Sequence, residues 1–389
     1  AENIYASVGN TGSFIQYPAV EWQGCPDSYD PRFRPWYASA AVGAKNIIIV
    51  LDVSGSMVLA DRLELAQEAA IRVLDTLTDY DYVGLVAFNS EAMTYSPNMK
   101  PFTSNEKCLM TDYIHELYAR GGTNFVAAFD AAFDVLDLSI SNGRVAECDL
   151  TVILFLTDGE ADASPVDTIR ERRADRNVKI LTYGLGESAD MTKSVEIACD
   201  NGGAAFAVPD NGDLGTIMAS YYMLLAASIV PSTVAPVWVR YRVWTSGNFI
   251  GSVCMSAYLP DDNDVSQLYG VACADFTEDH IQAVGEYELF EQRLDNASRY
   301  CPTFKTNLTD DQLANIRLTL AGQPYSCETG EPITPSSAPA PRVAEPADCT
   351  TTTTPSNDVT TASGTAIGWS KISGASIAAV MALYFSVRL

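Results

Sequence analysis

The sequence predicts an α/β fold whose largest part is a doubly wound, mostly parallel sheet. The chain has 389 residues, 47% of them hydrophobic, which is enough for about two or three folded units with buried cores. Short apolar runs rich in β-branched residues alternate with stretches of helical periodicity over residues 45–228. Polar residues directly follow several of the apolar runs, as they do at the carboxyl edge of a parallel sheet. These three observations define the predicted fold class.

The first strand is predicted at residues 46–51, where the sequence Asn-Ile-Ile-Ile-Val-Leu is typical of a strand covered on both faces. Apolar residues then recur at helical spacing over residues 61–78 and predict a helix with one buried stripe. Further strands are predicted at residues 82–88, 150–156, 178–185 and 205–208. Further helices are predicted at residues 126–138, 166–174 and 214–227. Strand and helix therefore alternate through the whole segment.

Oxygen-bearing side chains stand in three of the predicted loops. Asp52, Ser54 and Ser56 follow the first strand, Asp158 follows the third strand, and Thr123 precedes the second helix. These loops converge beyond the carboxyl ends of the strands, where doubly wound sheets bind ligands. Carboxylate and hydroxyl oxygens suit a hard divalent cation, Mg²⁺, Ca²⁺ or Mn²⁺. Because the set has few carboxylates, the ion keeps charge with which to accept a carboxylate from a partner molecule.

These residues resemble the von Willebrand factor A domain and its metal-ion-dependent adhesion site. The family pattern Asp-x-Ser-x-Ser is met by Asp52, Ser54 and Ser56, its threonine by Thr123 and its second aspartate by Asp158. The resemblance implies that the two serines and the threonine contact the ion, while the aspartates act through water. Each piece alone also fits a turn, a helix cap or a hairpin. The complete set in the right order favours the metal site.

The segments on both sides of this domain resemble a Cache sensory module. Residues 29–38 form an aromatic and basic cluster, and residues 229–290 contain a predicted hairpin around a polar loop at 261–266. The resemblance implies that the A domain is inserted between two parts, 1–44 and 229–290, of a smaller α+β domain of the Cache-like, PAS-like kind. The pairing resembles the alpha-2-delta auxiliary subunits of voltage-gated calcium channels and related surface proteins.

The Cache resemblance also implies a ligand pocket. Cache modules that bind amino acids use an arginine for the ligand carboxylate, aromatic side chains around it and aspartates for its ammonium group. By resemblance these positions are held by Tyr29, Arg34, Trp36, Tyr241 and Asp275. Val243 replaces an aspartate of the family pattern and so removes one ammonium acceptor. The alternative is that Arg34 is a structural arginine and Trp36 packs in a core.

The nine cysteines are scattered without a C-x-x-C pair, which favours disulfides over a zinc ribbon or a redox motif. Cys254 and Cys273 lie at equal distances from the middle of the predicted hairpin loop, so we expect a cross-strand disulfide. Glycosylation sequons at Asn296 and Asn307 also indicate the secretory pathway. Because the cysteine count is odd, at least one thiol is unpaired or bonds another molecule.

Three further segments follow. Residues 291–328 are expected to form a cysteine-containing helical extension to which no chemistry is assigned. Residues 329–363, rich in Thr, Pro and Ser, predict a disordered linker or stalk. Residues 364–389 include an uncharged run of 16 residues, about 24 Å long as a helix, against the ~30 Å core of a bilayer. A glycolipid-anchor signal therefore ranks ahead of a short transmembrane helix, and a cell-surface location is expected.

The charge balance excludes some functions. With 24 Lys and Arg against 49 Asp and Glu, the net charge of −25 argues against a nucleic-acid partner. Two histidines are too few for a three-histidine zinc centre. An aspartyl phosphatase would need a second aspartate where Ser54 stands, so no enzyme is expected. The sequence predicts an extracellular, membrane-anchored protein whose cation engages an acidic residue of a protein partner, such as a channel subunit; an amino-acid-like ligand in the Cache-like pocket is the alternative.

Overall fold

The structure is a computed structural model that describes residues 4–8, 14–17, 31–146, 150–159, 163–173, 176–186, 189–210, 212–219, 221–230, 236–242, 249–260, 266–276, 292, 296, 301–304, 309–310, 313 and 323–333. The chain divides into two units, 1–343 and 344–389, and all described residues belong to the first. The predicted linker beyond residue 333 and the predicted anchor segment therefore lie outside the described residues, as does most of the helix expected in the extension.

The described strands are β1 Ile4–Val8, β2 Phe14–Tyr17, β3 Asn46–Asp52, β4 Tyr82–Phe88, β5 Ala92–Thr94, β6 Lys100–Pro101, β7 Thr151–Thr157, β8 Val178–Leu185, β9 Ala205–Val208, β10 Val237–Arg242, β11 Phe249–Pro260, β12 Ser266–Phe276 and β13 Gln323–Pro324. The described α-helices are α1 Pro35–Val42, α2 Arg62–Leu74, α3 Ser104–His115, α4 Phe125–Ser141, α5 Val166–Arg173, α6 Met191–Asp200, α7 Leu214–Ala219 and α8 Tyr221–Ser228. Short 3-10 helices occupy Pro31–Phe33 and Gly55–Asp61.

The large sheet has the strand order β13-β9-β8-β7-β3-β4-β5, and β6 also pairs with β4. The strands from β9 to β4 in this row are parallel to one another. The short strands β5, β6 and β13 are antiparallel additions at the edges. The mostly parallel central sheet predicted from the sequence is therefore confirmed.

Helices cover both faces of this sheet. Alternate residues of a strand point to opposite faces, so neighbouring residues of one strand pack against helices on different sides. In β3, Ile47 belongs to the core cluster that contains Ala66 of α2, whereas Ile48 belongs to the cluster that contains Phe129 of α4. Every residue of β3 is buried. This two-sided burial explains why the strand reads as a continuous apolar run, and it confirms the doubly wound arrangement.

Two helices of the large domain, α3 and α6, were not predicted, although α6 buries Met191, Val195 and Ala198 at helical spacing. Among its residues α3 buries Met110 and Ile114, so its apolar stripe is narrow. The start of α3 does carry a capping signal, since the side chain of Thr103 accepts a hydrogen bond from the backbone N–H of Glu106. The start of α6 is capped by Asp190 in the same manner. The cap of α3 therefore marks a helix that periodicity alone does not show.

A second, antiparallel sheet has the order β10-β11-β12-β1-β2. Its strands come from both sides of the large domain in the sequence, so the large domain is inserted between them. β11 and β12 form the predicted hairpin, and Cys254 and Cys273 form the predicted cross-strand disulfide, with Cα atoms 4.1 Å apart. That this sheet belongs to the Cache family stays a prediction.

Residues 323–333 extend the edge of the large sheet. β13 pairs with β9, and a disulfide joins Cys327 to Cys199 of α6. Cys108 is an exposed free cysteine among the cysteines that the structure describes. Within the described ranges, no helix combines the length and the apolar character required to cross a bilayer.

Candidate metal centre

Asp52 is the last residue of β3 and is fully buried. Its two carboxylate oxygens have different hydrogen-bond donors. Oδ1 accepts from the backbone N–H of Ser54 at 2.7 Å, and Oδ2 accepts from Thr157 Oγ1 at 2.7 Å. Thr157 ends the neighbouring parallel strand β7, so the sheet itself brings the donor to Asp52. The carboxylate is therefore held in one orientation at the carboxyl edge of the sheet.

Three of the predicted site residues form one hydrogen-bonded chain. Ser54 Oγ and Ser56 Oγ are 3.1 Å apart, and Ser56 Oγ donates to Asp158 Oδ1 at 2.7 Å. Ser54 and Asp158 are buried, while Ser56 is partly exposed. The two serines stand on the turn that opens the 3-10 helix after β3. The loop after β3 and the loop after β7 thus meet through their side chains.

The loop that carries Thr123 is joined to the same turn through its backbone. The N–H of Gly55 donates to the carbonyl of Gly121 at 3.0 Å, and the N–H of Arg120 donates to the carbonyl of Val53 at 2.8 Å. A Cβ atom built on Gly159 would lie 3.6 Å from Thr123 Oγ1 and 3.9 Å from Ser56 Oγ. The hydroxyl groups of Thr123 and Ser56 therefore both lie close to Gly159, the residue after Asp158.

This donor set fits a hard divalent cation. It combines two carboxylates with three hydroxyl oxygens and contains no sulfur or imidazole. In the described residues, no group of three or more His, Cys, Asp or Glu side chains has a metal-binding arrangement. The candidate site therefore depends on its hydroxyl groups.

Burial raises the pKa of Asp52 to about 6, although the hydrogen bonds from Ser54 and Thr157 oppose the shift. Removing a carboxylate from water disfavours its charged form. A cation bound next to Asp52 would reverse this balance, because it stabilises the ionised carboxylate. The burial of Asp52 therefore favours occupation of the site by a positive charge.

Arg62, the first residue of α2, connects the site to a fourth loop. Its Nη1 donates to Asp158 Oδ2 at 2.9 Å, and its Nε donates to Asp210 Oδ1 at 2.7 Å. Asp210 follows β9. Hydrogen bonds to these two aspartates, first to Asp210, raise the pKa of Arg62, so the guanidinium stays charged.

Thr157 and Arg62 were not predicted from the sequence. Thr157 stands at the end of an apolar strand and looks like an ordinary strand residue. Arg62 carries a usable signal, because a cation at the first position of a helix is unfavourable next to the positive end of the helix dipole. Such a residue indicates a specific acidic partner elsewhere in the fold.

Two residues of the predicted Cache-like pocket, Trp36 and Asp275, are buried, and Trp36 is part of a hydrophobic core cluster, as the alternative expects. Trp36 is buried and lies edge-on to Tyr5, with ring centroids 4.9 Å apart. Tyr5 donates a hydrogen bond to Ser252 Oγ at 3.1 Å, and Ser252 donates to the buried carboxylate of Asp275. Trp36 and Asp275 are thus linked through Tyr5 and Ser252 on the second sheet.

The other residues predicted for that pocket and for glycosylation are exposed, lie on a strand, or fall outside the described residues. Arg34 is exposed at the N-cap of α1, and Tyr241 lies on β10. Tyr29 and Asn307 lie outside the described residues. Asn296 is exposed, as a glycosylation site must be. Ligand binding and glycosylation stay predictions.

The family model described as the von Willebrand factor type A domain matches residues 46–220. These residues include all five side chains of the candidate site and the strands that hold them. This part of the chain is a von Willebrand factor type A domain. The candidate metal centre therefore lies within the matched domain.

The chain is similar to subunits of voltage-dependent calcium channels. It is 32% identical to subunit alpha-2/delta-2 of Mus musculus over 225 residues, which are 57% of this chain and 19% of that protein. It is 28% identical to subunit alpha-2/delta-3 of Homo sapiens over 277 residues, 69% of this chain and 25% of that protein. The chain thus spans about a fifth to a quarter of the length of these relatives. A solved von Willebrand factor type A structure from Catenulispora acidiphila gives a TM-score of 0.42 at 20% identity, covering 61% of this chain and 58% of that one.

Proposed function

We propose that this chain is an extracellular, membrane-tethered binding protein without enzymatic activity. In this proposal Ser54, Ser56 and Thr123 hold a divalent cation directly, Asp52 and Asp158 hold it through water, and the cation engages a carboxylate of a protein partner. The observation that carries the proposal is that the loops of these residues meet at one sheet edge: Ser56 Oγ bonds both Ser54 Oγ and Asp158, the N–H of Ser54 donates to Asp52, and Thr123 Oγ1 lies beside Gly159. Mg²⁺ and Ca²⁺ are the first candidate ions and Mn²⁺ is the third.

The chemistry of the donor set explains why a carboxylate is the expected partner group. Hydroxyl oxygens are neutral, so they coordinate a cation without cancelling its charge. Of the two carboxylates, Asp158 already shares its charge with Arg62. A cation held here would therefore keep net positive charge, and a carboxylate from outside would be its strongest additional ligand.

Calorimetric titration with MgCl₂, CaCl₂ and MnCl₂ tests the cation site. We expect the wild-type chain to bind, and Asp52→Ala and Ser56→Ala to bind at least about tenfold more weakly, a loss of about 1.4 kcal/mol. Asp167→Ala is the matched control, because Asp167 is an exposed carboxylate on α5. Equal binding by wild type and Asp52→Ala would remove the basis of the proposal.

The similarity to alpha-2/delta subunits supports a calcium-channel subunit as the partner class. Co-purification from native membranes, in divalent cation or in chelator, tests this proposal. A channel subunit retained by wild type in cation, and lost both in chelator and with Asp52→Ala as bait, is the expected result. Retention that is equal in all conditions would exclude engagement through the cation.

Cell-surface tethering is tested by release of the full chain with a phospholipase that cleaves glycolipid anchors.

A second candidate function is recognition of an amino-acid-like small molecule on the second sheet. The buried carboxylate of Asp275, which accepts a hydrogen bond from Ser252, is the observation that supports it, whereas Trp36 packs in a hydrophobic core cluster. A thermal-shift series with free amino acids is the test. Stabilisation that Arg34→Ala abolishes would support a Cache-like pocket, and an unchanged melting temperature with every amino acid would count against it.

A further inference from the structure

Arg62 makes two ion pairs, and one of its partners is a residue of the candidate cation site. Nη1 donates to Asp158 Oδ2 at 2.9 Å. Nε and Nη2 donate to the two oxygens of Asp210 at 2.7 and 3.2 Å, which is a two-pronged contact. The guanidinium therefore lies between a carboxylate of the site and a carboxylate of the loop after β9.

The Arg62 side chain is buried and lies in close contact with a glycine. Arg62 is only 9% exposed, unlike most ion-paired arginines on surfaces. It passes directly over Gly186, where a Cβ atom would lie 2.2 Å from Nη2. Gly186 also has a φ of +92°, which side chains other than glycine rarely adopt. The contact is therefore a built feature of the domain and not a chance pairing of mobile side chains.

Both oxygens of Asp158 have a donor in this arrangement. Oδ1 accepts from Ser56, and Oδ2 accepts from Arg62. An oxygen that accepts from a guanidinium is a weaker ligand for a cation, because the guanidinium withdraws its electron density and repels the ion. Asp158 is consequently held as a hydrogen-bond acceptor beside the site, with half of its coordinating capacity blocked.

We propose that Arg62 is a positioning residue that keeps Asp158 out of direct coordination and lowers the net negative charge of the cation site. The proposal deepens the proposed function and rests on it. The protein thereby gives up cation affinity and leaves the bound ion more electrophilic. That is the property needed if the ion must attract a carboxylate from a partner.

The sign of the expected effect separates this role from a purely structural one. If Arg62 only maintained the fold, removing it would weaken cation binding. If Arg62 offsets the charge of Asp158, Arg62→Gln leaves a buried carboxylate without its counter-charge and frees Oδ2. A cation then supplies the missing positive charge, so it binds more tightly.

Calorimetric titration with CaCl₂ on the full chain measures this sign. We expect Arg62→Gln to lower the Kd about tenfold, a change of about 1.4 kcal/mol. Arg62→Lys keeps the charge and should restore the Kd to within about threefold of wild type. Arg72→Gln is the matched control, because Arg72 is an exposed arginine on the same helix and its removal changes the net charge equally. Its Kd should equal that of wild type.

Asp210→Asn provides a second variant that leaves Arg62 in place. Asp210 is partly exposed, and losing its charge leaves more of the Arg62 charge facing the site. We expect a Kd about threefold higher than wild type, opposite in sign to Arg62→Gln. Luminescence lifetimes of bound Tb³⁺ in H₂O and D₂O count the coordinated waters. They should show about one water fewer in Arg62→Gln, because Asp158 Oδ2 replaces it.

The outcomes distinguish this inference from the proposed function. Absence of cation binding by the wild-type chain contradicts the proposed function itself. If wild type binds and Arg62→Gln binds equally or more weakly, with an unchanged number of waters, the site stands and the role given to Arg62 is wrong. If Arg62→Gln does not fold, an Asp210→Asn Kd equal to or lower than wild type overturns the inference.

Discussion

Gly186 provides a test of the position of Arg62 that does not depend on any cation. At the residue scale, Gly186→Ala combines an unfavourable φ of +92° with a collision against the guanidinium. The strain alone costs about 1–3 kcal/mol. We expect an additional loss of about 1 kcal/mol or more, because Arg62 must leave its aspartate partners. Urea denaturation of Gly186→Ala, Arg62→Ala and the double variant measures this coupling.

Gly143→Ala is the matched control for the Gly186 experiment. Gly143 also has a positive φ, of +62°, but a Cβ there would meet nothing within 4 Å. Its cost should reflect strain alone and should be the same with and without Arg62→Ala. Additive free energies for Gly186→Ala and Arg62→Ala would contradict the described contact.

Lys179 on β8 predicts a pH dependence of stability. Its side chain is buried and donates to the carbonyl of Gly202 at 3.1 Å. Burial, with a smaller contribution from Arg173, lowers the pKa of Lys179 from 10.5 to about 8. Between pH 8 and 10.5 the unfolded chain holds more protons than the folded one, so this residue makes the free energy of unfolding rise with pH.

Lys179→Met tests that prediction. Urea denaturation between pH 7 and pH 10 should show a steeper rise in the free energy of unfolding for wild type than for the variant. The difference in slope is the relevant quantity, because loss of the hydrogen bond to Gly202 adds an offset that does not vary with pH. Parallel curves would show that the Lys179 ammonium is not penalised by burial.

The sequence predicted most of the candidate site because its five residues sit in fixed places of a repeating strand and helix pattern. Asp52 and Asp158 directly follow buried strands, and the pattern is readable without knowing any contact. Thr157 and Arg62 were missed for a physical reason. Their roles depend on side chains that the fold brings together over 105 and 96 residues of sequence. Only the three-dimensional structure shows such pairings.

At the scale of elements, predictability follows the strength of burial. β3 and β7 are buried along their whole length and were predicted. α3 buries few residues, and β13 is two residues long, so neither gives a periodic signal. The antiparallel edge strands β5 and β6 are also too short to alternate clearly. Short or little-buried elements depend on contacts with the rest of the fold, and their own sequence therefore does not predict them.

The edge strand β13 leads to a prediction about a disulfide. The Cys199–Cys327 bond anchors residues 323–333 to α6, and the N–H of Tyr325 donates to the carbonyl of Ala205 at 3.0 Å. We expect the double variant Cys199→Ser and Cys327→Ser to lose hydrogen-exchange protection at Tyr325, because a two-residue strand cannot hold itself on a sheet. Amides of β3 should remain protected.

The matched control for that experiment is the double variant Cys254→Ser and Cys273→Ser. This disulfide lies in the second sheet, between β11 and β12. Its loss should leave the Tyr325 amide unchanged. Persistent protection of Tyr325 without the Cys199–Cys327 bond would show that pairing with β9 is sufficient.

At the scale of the whole molecule, the inserted topology has an energetic consequence. One core cluster contains residues of both sheets. It includes Val237 of β10 in the second sheet, Ile47 of β3 in the large sheet, and Trp36 of α1. Tyr37 of α1 also packs against Tyr222 of α8, with ring centroids 5.8 Å apart. A core shared in this way does not separate into two without exposing apolar surface on each side.

We therefore expect the described part of the chain to unfold in one cooperative transition, which a bound cation shifts as a whole. Near-ultraviolet circular dichroism and hydrogen exchange at β11 and β12 should give the same midpoint as probes of the large sheet. Saturating CaCl₂ should raise all midpoints together in wild type and none of them in Asp52→Ala. Two transitions, of which only that of the large sheet responds to the cation, would show that the inserted domain folds independently of the sheet that surrounds it in sequence.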